Sequence, residues 1–233
     1  DVVLMNPPYG GNEKSDVKSH FPSDMRSSET ADLFMVLIMY RLKKNGRAAV
    51  IVPDGFLFGA DNTKIAIKTK LLRDFNLHTI IRLPGSIFAP YTSIATNILF
   101  FDNTSAEGAP EGYSTKETWF YRLDMPEGYK HFSKTKSMKL EHCNPIREWW
   151  NDRKEIIIAD GDEKSRCYPA QELIDSDCNF DLCKFPKEDE EILPPAELLA
   201  DYFKKRKALD HEIDKTLAEI QRILGINVNV DEL

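Results

Sequence analysis

The residues Asn6-Pro7-Pro8-Tyr9 could do chemistry on an amino group attached to a flat ring. Such a nitrogen shares its lone pair with the ring and is a weak nucleophile. Two acceptors set against its two hydrogens favour the pyramidal, nucleophilic form. Asn6 offers a side-chain oxygen, and Pro7 offers a backbone carbonyl. Two successive prolines fix φ and push the residue before them into an extended conformation, so the acceptors are held in place in advance. Tyr9 adds a flat face on which an extruded base can stack. The plainer reading is a strand-ending turn, because Asn-Pro marks turns generally.

The elements around this segment must position it. Val2-Val3-Leu4-Met5 is a short apolar run ended by Pro and Gly, which predicts a buried parallel strand entering a loop. In α/β sheets ligands bind beyond the carboxyl ends of strands, so Asn6 stands where a site belongs. Residues 12–30 are polar and aperiodic and read as a surface loop. A helix is predicted over 31–44, with Thr30 as N-cap, Asp32 in the first turn and Gly46 as a left-handed stop. Its apolar face is Leu33, Phe34, Leu37, Ile38 and Leu42. Strands follow at 48–52, 79–83 and 96–101, with a helix at 63–74 and a loop at 86–93. This alternation implies a parallel sheet covered by helices. The last strand, reached through a loop alone, is expected to run antiparallel at the sheet's edge.

Beyond a polar linker at 102–116, a strand is expected at 118–123 and a short helix at 146–152. Residues 124–190 carry many charges and prolines and read as a mixed region. Pro194-Pro195 precede a long helix over 196–224, stopped by Gly225. Leu199, Tyr202, Leu209, Ile213, Leu217, Ile220 and Leu224 form a seam at steps of three or four, interrupted by Arg206. The domains read as 1–103, 104–190 and 191–233.

Composition limits the function classes. Hydrophobic residues make up 42%, enough for a packed core. No apolar run reaches the roughly 18 residues of a membrane span. A net charge of −7 argues against tight non-specific DNA binding, while leaving room for a local basic patch. Cys143, Cys167, Cys178 and Cys183 read as reduced thiols of a cytoplasmic protein. Cys178 and Cys183 have half the spacing of a zinc site without its other half. The five histidines form no metal spacing. Trp119, Trp149 and Trp150 read as packing residues. Lys204-Lys205-Arg206, with Asp210 and Glu212 nearby, reads as a solvated helix face. The chain opens on an apolar run with no basic segment and no Met, which reads as a strand caught within a longer protein.

Asn6-Pro7-Pro8-Tyr9 resembles the catalytic motif of amino-group methyltransferases. The stretch from Leu42 to Gly55 resembles the helix-turn-strand that follows this motif in type I modification subunits. Leu83 to Thr92 and Thr96 to Phe101 resemble that family's next block. The resemblance covers most of 1–103 and, more loosely, 180–225. It implies the C-terminal half of a Rossmann-like class I methyltransferase sheet, with a small α+β region and a long C-terminal helix. The implied reaction is methylation of adenine N6 in double-stranded DNA with S-adenosylmethionine, within a type I restriction-modification complex. The implied partners are the specificity subunit, which such helices dock on, and the restriction subunit.

By the same resemblance, Asn6, Pro7, Pro8 and Tyr9 are catalytic. Phe88 faces the target base opposite Tyr9, and Asp32 lines the cofactor's adenosine end. Phe88 also reads as a core residue, Asp32 as a dipole partner and Asp54 as part of a Pro-Asp-Gly turn. Tyr91 is set aside as solvent-facing. The family's glycine-rich cofactor loop and acidic cofactor residue precede the catalytic motif and are not in this sequence, so the chain alone is expected to be inert. An open first strand would then favour a homodimer or an exposed apolar patch. Two other readings are an amide or RNA-amine methyltransferase sharing these four residues, and a non-catalytic interaction module working through 196–224.

Overall fold

A computed structural model describes residues 1–158, 161–184 and 195–225. Seven strands form one sheet: β1 (Val2–Met5), β2 (Arg47–Pro53), β3 (Asn76–Arg82), β4 (Thr96–Asp102), β5 (Glu117–Arg122), β6 (Ile156–Ile158) and β7 (Asp162–Pro169). The helices are α1 (Ser15–Ser19), α2 (Thr30–Arg41), α3 (Asp54–Phe58), α4 (Asn62–Asp74), α5 (Asn144–Asn151), α6 (Ala170–Asp175) and α7 (Pro195–Leu224).

The strand order is β1-β2-β4-β3-β5-β7-β6. β1 and β2 are parallel, as are β3 and β5, whereas β4 is antiparallel to both of its neighbours. The predicted antiparallel strand therefore exists but lies inside the sheet, not at its edge. The 83–95 loop turns the chain back far enough for β4 to fill the gap between β2 and β3. Pro53 then faces Thr96, and Arg82 faces Asn97, so three strand ends meet at one rim.

β1 is parallel as expected, but it is an outer strand and only partly buried. Val3 and Met5 pack on the core, while Val2 and Leu4 are 56% and 78% exposed. Beside them runs a groove of about 670 Å³ lined by residues that include Val2, Leu4, Phe100 and Trp150. The strand expected at 118–123 is β5, and the 124–190 stretch read as a mixed region supplies β7 and β6 to the same sheet.

One face of the sheet packs against α2 and α4 through Met35, Val36, Ile38, Met39, Ile67, Leu71 and Leu72. Leu37, expected on that face, is exposed instead. On the other face Trp149 of α5 packs against Tyr121, with ring centroids 4.6 Å apart. α2 begins at Thr30 rather than being capped by it, because the Thr30 N–H donates to the Gly11 carbonyl at 3.1 Å. It ends at Arg41, three residues earlier than predicted. Asn45, not Gly46, takes the left-handed conformation, with φ 61°. Gly46 serves close approach, since a Cβ there would lie 2.8 Å from the Lys43 carbonyl oxygen.

α7 belongs to a second compact unit, residues 188–233. It runs as predicted and stops at Gly225, whose φ is 66°. Its seam residues Leu199, Tyr202, Leu209, Ile213, Leu217 and Ile220 are all exposed within the chain. Among the described residues no helix is long and apolar enough to cross a membrane.

Candidate active site

β1 delivers Asn6 to the carboxyl rim of the sheet. Asn6 and Pro8 are exposed, Pro7 is buried and Tyr9 is half-buried. Pro7 is thus the anchor of the corner, and Asn6 faces outward. The Tyr9 hydroxyl donates to Oδ1 of Asn6. Gly10 follows with φ 72°, a turn that an L side chain would strain. Gly11 then lies against Thr30: a Cβ at Gly11 would come 2.5 Å from Thr30 Oγ1. The N-terminus of α2 therefore fixes where the corner ends.

The 83–95 loop brings Phe88 to this corner. Its bends are closed by backbone bonds from Ala89 N–H to the Ser86 carbonyl at 3.0 Å and from Tyr91 N–H to the Phe88 carbonyl at 2.9 Å. The rings of Tyr9 and Phe88 stand 6.3 Å apart between centroids, tilted by 57°. Tyr91, three residues on, is 91% exposed. The structure thus brings Asn6, Pro7, Tyr9 and Phe88 together.

Asp32 is not brought to them as an open group. Its carboxylate is fully enclosed, accepts from Ser27 Oγ at 2.6 Å and pairs with Lys64 Nζ at 3.2 Å. Its Oδ1 is buried and has no hydrogen-bond partner. Burial raises the Asp32 carboxyl pKa despite the Ser27 and Lys64 contacts. Lys64 is raised too, since Glu29 at 2.5 Å and Asp32 outweigh its own burial. A carboxylate closed in this way presents nothing to a nucleoside.

Sequence reasoning missed a buried network behind the site. Arg82 donates to Asp181 and to the Cys183 carbonyl, and it lies 3.4 Å from Asp54. Asn97 donates to the same Asp54 oxygen at 2.5 Å. Asp54 is therefore a rim anchor, engaged by two donors, and it opens α3 instead of a plain turn. The available signal was an arginine inside the apolar run of β3, which burial obliges to find acceptors. A second such arginine, Arg122, grips Asp162 with two bonds of 2.9 and 2.6 Å. Among the described residues no group of three or more His, Cys, Asp or Glu is placed to hold a metal ion. All four cysteines are free thiols.

The N-6 DNA Methylase family profile matches residues 1–191. The chain belongs to the N-6 DNA methylase family. It is 41% identical over 228 residues to the type I restriction enzyme EcoEI methylase subunit of Escherichia coli, a match covering 97% of this chain and 44% of that protein. The EcoKI methylase subunit of Escherichia coli strain K12 is 31% identical over 182 residues, covering 70% of this chain and 33% of that one. Among solved structures, a chain from work on complex assembly and conformational transition of the type I R-M system is 33% identical. It superposes with a TM-score of 0.65 over 95% of this chain and 45% of its own length. This N-6 DNA methylase chain thus spans less than half the length of these relatives.

Proposed function

We propose that this chain carries the amine-activating and base-holding half of an adenine-N6 DNA methyltransferase, the modification subunit of a type I restriction-modification complex. The observation that carries the reading is the Tyr9–Phe88 ring pair, 6.3 Å between centroids, beside an outward-facing Asn6. A base between two rings needs about 3.5 Å of contact distance on each face, roughly 7 Å in all. The pair accommodates a base once the two rings part slightly and turn out of their 57° tilt. Asn6 Oδ1 and the Pro7 carbonyl then accept from the two N–H bonds of the extruded adenine's amino group. This draws the nitrogen toward its pyramidal form, and the rigid diproline keeps the acceptors from relaxing away.

Family membership and fold support S-adenosylmethionine as the methyl donor. The exposed seam of α7 supports docking onto the helices of a specificity subunit, with a restriction subunit completing the complex. The open face of β1 supports either a neighbouring strand or a second copy of the chain.

The test is Asn6→Ala in the intact protein, read by transfer of a labelled methyl group to DNA. Transfer should fall by at least about a hundredfold, as when one fixed transition-state partner is removed. Duplex binding should stay unchanged. Methylation at the wild-type rate would instead favour a non-catalytic module, and transfer to RNA or a protein amide would move the substrate class.

A further inference from the structure

We propose that the segment 129–139 is a phosphate clamp that grips the DNA strand beside the extruded base; this rests on the adenine-N6 reading above. Across these eleven residues the sequence Tyr-Lys-His-Phe-Ser-Lys-Thr-Lys-Ser-Met-Lys holds four lysines and one histidine and no acid. In a chain of net charge −7 that is a marked local reversal. Lys130, His131, Lys134, Lys136 and Lys139 are all exposed. Lys139 lies 3.3 Å from Glu141, and Lys136 lies 5.7 Å from the Tyr129 ring centroid. Among the described residues no ion pair neutralises Lys130 or Lys134.

The backbone that carries these charges is fixed. Phe132 is buried, stacks on His142 at 5.6 Å and meets Tyr129 at 5.6 Å. A tight turn follows, with Ser133 N–H donating to the Lys136 carbonyl at 3.0 Å and Lys136 N–H to Ser133 Oγ at 3.2 Å. Cations held on such a turn lose less freedom on binding than cations on a loose tail.

The position ties the segment to the site. The Phe132 N–H donates to Ser86 Oγ at 2.8 Å, and Ser86 stands two residues before Phe88. The path from Lys134 to the Tyr9–Phe88 pair is two residues, one hydrogen bond and two residues. Two residues of extended chain reach about 7 Å, so the backbone of Lys130 and Lys134 lies within roughly 20 Å of the Phe88 backbone. One DNA strand presents about six phosphates over that length, at 3.4 Å of rise each.

A solvated charge run would show interspersed acids and no fixed seat beside a site, and neither holds here. The segment also lacks the arginines and amides that read base edges bidentately. It suits sequence-independent contact with the backbone, which sets register and leaves sequence choice to another element.

The experiment is fluorescence anisotropy of the intact protein assembled with its specificity subunit, on a labelled duplex containing one adenine target, between about 50 and 200 mM salt. The variant is Lys130→Ala, Lys134→Ala and Lys136→Ala combined, with native circular dichroism as the folding check. Removing one lysine–phosphate pair should flatten the plot of log K against log salt by about 0.9, so the slope should shift by about two to three. A Lys→Arg triple should keep the wild-type slope. Wild-type protein that binds and methylates DNA, with an Ala triple of unchanged slope and affinity, overturns this proposal alone. Wild-type protein that binds no duplex overturns the adenine-N6 reading with it.

Discussion

Tyr9 donates its hydroxyl hydrogen to the very oxygen of Asn6 that an adenine amine would need. With no base present, the site is therefore satisfied by its own residues. Burial raises the Tyr9 pKa, so the hydroxyl stays a neutral donor near pH 7. A neutral hydrogen bond is worth about 0.5–1.5 kcal/mol net. Tyr9→Phe in the intact protein should thus keep methylation within about tenfold of wild type, with a KM for DNA that is unchanged or lower. Tyr9→Ala also loses the stacking face, worth about 1–3 kcal/mol per base. Steady-state kinetics with a fluorescent adenine analogue at the target would separate the two. Equal losses from Phe and Ala would refute the placeholder role of the hydroxyl.

Gly11 and Thr30 are coupled by space. A methyl group at Gly11 meets Thr30 Oγ1 at 2.5 Å, and the Thr30 N–H holds the Gly11 carbonyl. Gly11→Ala should push the Asn6–Tyr9 corner away from α2, at a cost of about 1–3 kcal/mol. Thr30→Ala removes the obstructing oxygen while keeping the backbone bond. The double variant should recover part of the loss, with a coupling of about 0.5–3 kcal/mol in urea denaturation. Strictly additive losses would show that the two residues do not contend.

What the sequence made legible follows from the range of the forces involved. β2, β3, β4, α4 and α7 were readable because apolar periodicity and punctuation by Gly, Pro and caps are local signals. The direction of β4 could be inferred from a connection that holds no helix. Its place between β2 and β3 could not, since that depends on partners far along the chain. β7 escaped because its buried residues include Asp162 and Ser165, which are polar; Asp162 is held inside by pairing with Arg122. The diproline corner was visible as residue types in a row. The meeting of Phe88 with Tyr9 came only from the family resemblance, and the burial of Asp32 was hidden because its partner Lys64 lies a helix away.

Arg82 ties three segments to the rim: Asp54 at the start of α3, Asn97 on β4 and the Asp181–Cys183 stretch. Removing one member of a buried ionic group costs about 3–5 kcal/mol. Asp181 keeps some solvent access, so Arg82→Ala should fall near about 3 kcal/mol by urea denaturation. It should also release the 181–184 stretch, giving faster tryptic cleavage after Lys184. A variant that loses stability without faster cleavage there would mean that Arg82 supports the sheet alone.

Lys68 gives a pH signature of opposite sense to the usual lysine pair. Its ammonium is buried, donating to the carbonyls of Leu57 at 3.0 Å and Gly59 at 2.9 Å, with the Phe180 ring centroid 5.5 Å away. Burial pushes its pKa down from 10.5 to about 8, and neighbouring acids offset only part of this. Between those two values the unfolded chain binds the proton and the folded chain has released it. Stability therefore rises with pH across that window, and the charge is a net cost below it. Other thiols and tyrosines titrate nearby, so the comparison must be with Lys68→Met. The stability of wild type relative to this variant should increase between about pH 7 and pH 9.5. Urea denaturation at both values measures it. A gap that stays constant, or narrows, would place the Lys68 ammonium in contact with solvent and remove the cost assigned to its burial.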